Sequence, residues 1–251
     1  MLLGTKLGIF AFILALLTVV LWFYLTSQVA LPNDRSGFVI AWVVSASLAV
    51  FALIKGTTLL GGVPPTLAII VSSFLTFTIY ISPQKVEMAS VIKVGDIIPP
   101  FRAVDDSGGR FDSKSLNGHL VLIKFFRAHW WPYCVGELRR LEELRAEFDK
   151  RNVKVITVST DLPYEIADER YRHGLQATML SDRDLEITDA FGLRNTAFHS
   201  GPPVGGADAL PVPATVLLDE SGTVLWLDLS KDYQRRSDPS VVLTAMQTYF
   251  D

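Results

Sequence analysis

The chain changes character near residue 84. Before it, apolar positions run on almost without interruption; after it, apolar and polar positions alternate in short, regular patterns. Three apolar runs fill the first part. LGIFAFILALLTVVLWFYLTS, residues 7–27, holds no charged residue. As a helix rising ~1.5 Å per residue, it is long enough to cross a hydrocarbon layer of ~30 Å. GFVIAWVVSASLAVFALI, residues 37–54, is a second such run, and its Ser45, Ala46 and Ser47 suit close packing between helices. TLAIIVSSFLTFTIYI, residues 66–81, follows Gly61-Gly62-Val63-Pro64-Pro65 and spans the layer if its helix starts upstream, near Thr57, giving a segment 58–81. The first run is too long for the core of a cleavable signal peptide, and two more runs follow it. The pattern predicts a three-helix transmembrane anchor over residues 1–83.

PQKVEMASV, residues 84–92, reads as a polar linker. Beyond it the pattern shortens. HLVLIKFF, residues 119–126, is a buried strand by its β-branched, apolar content and its Asn117-Gly118 boundary. Leu138, Leu141, Leu144 and Phe148 then recur at helical spacing and predict one amphipathic helix through about Lys150. Further elements are expected as strand 153–160, helix 165–175, strand 177–180 and helix 184–193. A hairpin of 214–219 and 223–229 and a closing helix 239–250 complete the pattern. This order is that of an α/β domain with a mixed central sheet flanked by helices, spanning residues 93–251. Its ~150 residues are enough to bury a core of their own.

Charge and composition narrow the partners. The net charge of −3 and the lack of a clustered basic face exclude a nucleic-acid binder. Arg139-Arg140 and Arg235-Arg236 read as isolated, solvated pairs. The apolar runs carry no cysteine, histidine or central charge, so they lack carriers for a proton or redox path and read as an anchor in membrane lipid. Flanking charges are few; Lys6 leans toward a cytoplasmic N-terminus, with the C-terminal domain outside the cytoplasm. His119, His129, His173 and His199 show no spacing of a metal site, and neither metal nor cofactor is expected.

One residue stands out chemically. Cys134 is the only cysteine, so no intramolecular disulfide exists. It lies in Arg127-Ala128-His129-Trp130-Trp131-Pro132-Tyr133-Cys134, between the strand 119–126 and the following helix. Pro132 fits a first helical turn, which puts Cys134 at the positive end of the helix dipole, where a thiolate is favoured. Arg127 and His129 are the candidates to fold back over that turn. The alternative for Cys134 is a small buried hydrophobe. Glu137, within a helical turn of the thiol, reads as solvated. Pro211 and Pro213 flank the start of strand 214–219, and one of them is a candidate cis proline. Residues 195–211, rich in Gly and Pro, read as a loop over the site.

VGDIIPPFRAVDDSGGRFDSKSLNGHLVLIKFFRAHWWPYC resembles the opening of thioredoxin-fold redoxin domains, in the peroxiredoxin-like branch of the alkyl hydroperoxide reductase and thiol-specific antioxidant family. It has the Gly-Asp-x-x-Pro-x-Phe entry, an Asp-x-x-Gly hairpin and an apolar strand leading to the thiol. MLSDRDLEITDAFGL, LPVPATVLLDESG and DYQRRSDPSVVL are similar to later parts of the family, so the resemblance covers roughly residues 93–250. It implies a thioredoxin-like fold and a thiol peroxidase with an antioxidant role in cell redox homeostasis. Cys134 would attack a hydroperoxide, and an external thiol or redoxin would reduce it, with Arg127 beside it and His129, Trp131, Pro132, Tyr133 and Pro213 supporting the site. The expected location is the bacterial cell membrane. Three departures weigh for the alternative, a catalytically degenerate redoxin module for binding or assembly. Trp131 stands where the family has Thr, Ser or a first Cys; Pro213 stands where it has an arginine; and a second cysteine for dithiol exchange is missing.

Overall fold

A computed structural model describes residues 3–81, 87, 90–195, 209–234, 236 and 238–250 of the protein. The chain divides between Ser82 and Pro83 into two compact units.

The first unit is three helices: α1 (Leu3–Ser27), α2 (Ser36–Ile54) and α3 (Val63–Tyr80). A single 3₁₀ turn, Leu60–Gly62, leads into α3, so this helical span begins at Leu60 rather than near Thr57. Pro64 and Pro65 fit there because the first helical turn has no use for their missing N–H. All three helices are long and apolar enough to cross a membrane. Small residues face inward: Ala11 and Ala15 of α1, Ala49 of α2 and Ala68 of α3 are buried together. Ser45 is buried and its Oγ donates to the Ala11 carbonyl at 2.8 Å, whereas Ser47 faces outward. Trp42 donates its ring N–H to Thr18 Oγ1 at 3.0 Å. Trp22 and Trp42 are buried, but many other large apolar side chains point out, with Phe10, Leu17 and Phe74 each more than half exposed, the reverse of a protein packed against water.

The second unit is a seven-stranded sheet with helices on it. Its elements are β1 (Arg102–Asp105), β2 (Arg110–Asp112), β3 (Leu120–Phe125), α4 (Pro132–Glu143), α5 (Arg145–Asp149), β4 (Val153–Ser159), α6 (Pro163–His173), β5 (Thr178–Ser181), α7 (Glu186–Ala190), β6 (Ala214–Leu218), β7 (Val224–Leu229) and α8 (Ser240–Phe250). The strand order is β2-β1-β5-β4-β3-β6-β7, with β3, β4 and β5 parallel and the flanking pairs antiparallel. This is the mixed sheet of a thioredoxin-like fold. The β1–β2 hairpin carries the Asp105-x-x-Gly108 turn, with Gly108 at φ 81.

Three helices differ from the pattern in the sequence, the first being α6, which starts at Pro163 and ends before the left-handed Gly174 rather than spanning 165–175. The helix expected to run through Lys150 is broken at Leu144, whose ψ of 3 leaves the helical region and starts α5 as a separate turn. The helix expected over 184–193 shrinks to α7 because Leu185, at φ 61, and Gly192, at φ 67, are left-handed at either side of it.

The two-residue period of β3 sorts its side chains onto opposite faces. Val121, Ile123 and Phe125 pack into one core with Phe101, Ile187 and Phe191. Leu122 packs into a second core with Leu141, Phe148 and Met246. Lys124 and Phe126 therefore share the face of Leu122, toward α4.

Candidate active site

Lys124 is a charge on a buried strand face, and it must find a partner there. It is 4% exposed; its Nζ donates to Thr215 Oγ1 on the neighbouring β6 at 2.9 Å and pairs with Glu137 Oε1 at 2.5 Å. Glu137, expected to be solvated, is instead 2% exposed. Its position three residues after Cys134 on α4 turns it toward β3 and Lys124. Its other oxygen lies 3.4 Å from Arg236 Nε, a charge contact without hydrogen-bond geometry. Arg236, expected to be a solvated surface residue, is also buried. Its Nη1 donates to the Tyr233 carbonyl at 2.9 Å and its Nη2 to Cys134 Sγ at 3.4 Å. Burying an arginine is costly unless charges meet it, and Glu137 supplies one. The chain Lys124–Glu137–Arg236–Cys134 thus runs from the sheet to the sulfur.

Pro132 opens α4, placing Cys134 in its first turn, and the Cys134 N–H bonds the Trp131 carbonyl at 2.8 Å. The sulfur is wholly buried, among Phe126, Leu138, Ile166, Leu175 and Met179. Aromatic rings gather beside it. Trp131 lies 6.1 Å from Tyr133 and 5.6 Å from Tyr233 between ring centroids. Arg127 is buried and sits over the faces of Trp131 and Tyr233 at 5.7 and 5.3 Å. Burial, together with the nearby charge of Arg236, lowers its guanidinium to about 10, while Cys134 and Tyr233 act the other way. Of the two tryptophans, Trp131 packs at the thiol and Trp130 is partly exposed.

Pro213 precedes Ala214, which pairs with Phe125, so it sits beside the carboxyl end of β3. The peptide bonds of Pro211 and Pro213 are trans; no cis bond occurs among the described residues. The loop expected over the site lies mostly outside the described residues, as 196–208 are not among them.

His129 turns away from this group. Its backbone N–H donates to Asp161 Oδ2 at 2.8 Å, and its Nδ1 meets Asp161 Oδ1 at 2.9 Å. Asp161 follows β4 and is 4% exposed; burial raises its carboxyl above the usual range, against the pull of His129 and Ser159. Glu165, on the first turn of α6, completes a cluster in which one donor atom from each of His129, Asp161 and Glu165 lies within 4.8 Å of the others.

The expected residues Arg127, Trp131, Pro132, Tyr133 and Cys134 are thus brought together, with Pro213 at the adjacent strand end and His129 directed elsewhere. Lys124, Glu137 and Arg236 were not foreseen. A lysine inside the apolar run LVLIKFF was a visible signal for the first. Arg236, 102 residues from Cys134, had none.

The sequence profile of the AhpC/TSA family matches residues 94–227. Peroxiredoxin Bcp of Escherichia coli (strain K12) is 27% identical over 133 residues, covering 53% of this chain and 83% of that protein. The thiol-disulfide oxidoreductase ResA of Halalkalibacterium halodurans is 26% identical over 138 residues, 54% of this chain and 68% of its own. Among solved structures, peroxidoxin BcpB from Mycobacterium tuberculosis superposes with a TM-score of 0.55 at 20% identity, covering 64% of this chain and 99% of that one. With a match over more than half of its length, a thioredoxin-like sheet and a thiol at the start of the helix after β3, the chain belongs to the AhpC/TSA family of peroxiredoxin-like thiol oxidoreductases.

Proposed function

We propose that this protein is a membrane-anchored, one-cysteine thiol peroxidase. The observation that carries the reading is the contact between Arg236 Nη2 and Cys134 Sγ, with Arg127 stacked alongside. Cys134 Sγ attacks the terminal oxygen of a hydroperoxide. The S–O bond forms as the O–O bond breaks, and the remaining oxygen leaves as water or an alcohol once protonated. The two guanidiniums are placed to hold the peroxide and to meet negative charge as it develops on the departing oxygen. They supply what the arginine absent at Pro213 would have supplied. The product is a sulfenic acid. Because Cys134 is the chain's only cysteine, an external thiol or redoxin must attack that sulfur, release water and leave a mixed disulfide, which a second thiol resolves.

The anchor reading rests on helical spans of 25, 19 and 21 residues with outward-facing apolar side chains. It makes residues 1–83 the membrane part and 93–251 the catalytic part, and the lean of Lys6 toward a cytoplasmic N-terminus favours a catalytic part outside the cytoplasm.

Complete burial of the sulfur is what a degenerate module kept for binding or assembly would also show. One test separates the two. The full chain in detergent, reduced and given one equivalent of hydrogen peroxide with a sulfenic-acid trap, is expected to label rapidly and stoichiometrically at Cys134, and Cys134→Ser is expected to abolish peroxide consumption. A thiol unmodified over minutes, or consumption that survives the substitution, overturns the peroxidase reading.

A further inference from the structure

We propose that His129, Asp161 and Glu165, with Glu169 behind them, form a binding site for one divalent first-row transition ion such as Zn²⁺ or Mn²⁺. None of these side chains contacts the sulfur among the described hydrogen bonds and ion pairs, although Ile166, next to Glu165 on α6, packs in the same buried cluster as Cys134.

The first support is that each carboxylate is already anchored by one oxygen. Asp161 Oδ2 accepts from the His129 N–H at 2.8 Å and from Ser159 Oγ at 2.9 Å, leaving Oδ1 beside the imidazole. The Asp161 carbonyl is held in turn by Ser181 Oγ at 2.7 Å. Glu165 Oε2 accepts from the Leu162 N–H at 2.8 Å, which fixes the carboxylate at the start of α6. Such outer donors fix ligand orientation in built metal sites. Nδ1 and Oδ1, 2.9 Å apart, have the separation expected of neighbouring ligands on one ion with bonds of about 2.0–2.2 Å. All three donor atoms fall within 4.8 Å of one another. Binding therefore needs only small side-chain shifts and the loss of the proton shared between His129 and Asp161.

The second support is Glu169, one turn after Glu165 on the same face of α6. It is 2% exposed, and among the described residues its Oε1 receives no hydrogen bond. His173 Nε2 stands 3.3 Å from it, and Arg172 is engaged by Asp168. Burial raises the Glu169 carboxyl, opposed by the charges of His173, His129 and Arg172, while Asp161 adds repulsion. Three carboxylates thus crowd around two imidazoles, and a divalent ion removes the imbalance. One imidazole with carboxylates is a borderline-to-hard set that suits first-row divalent ions rather than thiophilic ones.

The test uses the full chain without a histidine tag, as the Cys134→Ser form so that the thiol cannot bind the probe. After chelator treatment and its removal, Zn²⁺ and Mn²⁺ are titrated separately by calorimetry. Stoichiometry is read by elemental analysis after dialysis. The expected result is one ion per chain for at least one metal, with affinity falling about tenfold to a hundredfold in Glu165→Gln and in His129→Gln. Glu165→Gln keeps an oxygen for the Leu162 N–H, so circular dichroism is expected to stay unchanged and loss of binding reports the ligand itself. No saturable binding below about 100 μM, or binding indifferent to both substitutions, overturns the proposal.

Discussion

The eight residues from Arg127 to Cys134 contribute to two clusters of opposite character. In one, Arg236 meets the sulfur, Arg127 lies beside Trp131, and Glu137 lies between Lys124 and Arg236. In the other, Asp161, Glu165 and Glu169 gather around His129 and His173. The first cluster is buried, whereas the second is buried at Asp161 and Glu169 and partly open at His129, Glu165 and His173. The two differ in how their charges are met. One oxygen of each glutamate accepts no hydrogen bond among the described residues, but Glu137 meets Lys124 and Arg236, whereas that oxygen of Glu169 faces the His173 imidazole. A carboxylate's environment, more than its burial, decides whether it stabilises the fold.

That contrast gives opposite signs for the same substitution. Glu137→Gln leaves Lys124 and Arg236 buried without their shared counter-charge, and is expected to lower stability by about 3–5 kcal/mol in urea unfolding. A loss below ~1 kcal/mol would show that the two cations find other partners. Arg236→Met keeps volume but removes the donor at Sγ. The expected loss is about a hundredfold in the second-order rate with hydrogen peroxide, and Arg236→Lys should recover only part of it because ammonium lacks the planar fork. An unchanged rate would assign the work to Arg127 alone.

A smaller effect is expected from pH. Arg127 keeps its charge at neutral pH and loses it as pH rises through about 10, so the rate should fall there and Arg127→Met should remove that limb. The sign for stability is opposite. Its folded value lies below the ordinary 12.5, so the cost of burying the charged form is present at neutral pH and is relieved as pH rises through about 10.

The smallest effect is a gain. Glu169→Gln in metal-free protein is expected to stabilise by about 1 kcal/mol, because an amide costs less to bury than a carboxylate. Its folded carboxyl is raised above the ordinary 4.5, so the folded state binds the proton more tightly. The cost of the charged form is therefore full above the folded value and fades as pH falls toward 4.5. Melting curves across that range should show the advantage of Gln shrinking with acid. Destabilisation at neutral pH would mean the His173 pair carries more than the burial costs.

Much of this architecture was legible along the chain. β3, β4 and the hairpin β6–β7 show as apolar runs, and Pro132 marks the first turn of α4. The membrane-length helices show by the absence of charge. What was not legible depends on contacts between distant segments. Glu137 looks like any helical glutamate until β3 turns Lys124 toward it. Arg236 sits in DYQRRSDPS, a polar stretch whose local pattern says surface; only the return of the chain beside α4 buries it. The His129–Asp161 pair is likewise hidden, since its members are 32 positions apart with helix and strand between them. Leu144 and Leu185 broke expected helices through backbone angles that spacing does not encode.

The complete enclosure of Sγ also bears on kinetic order. A thiol reductant can reach the oxidised sulfur only after the side chains packed around it part. At low reductant the turnover rate rises in proportion to its concentration. At high concentration it levels off at the frequency of that parting, a first-order constant that belongs to this chain. Different large reductants should then share one ceiling, however different their own reactivities.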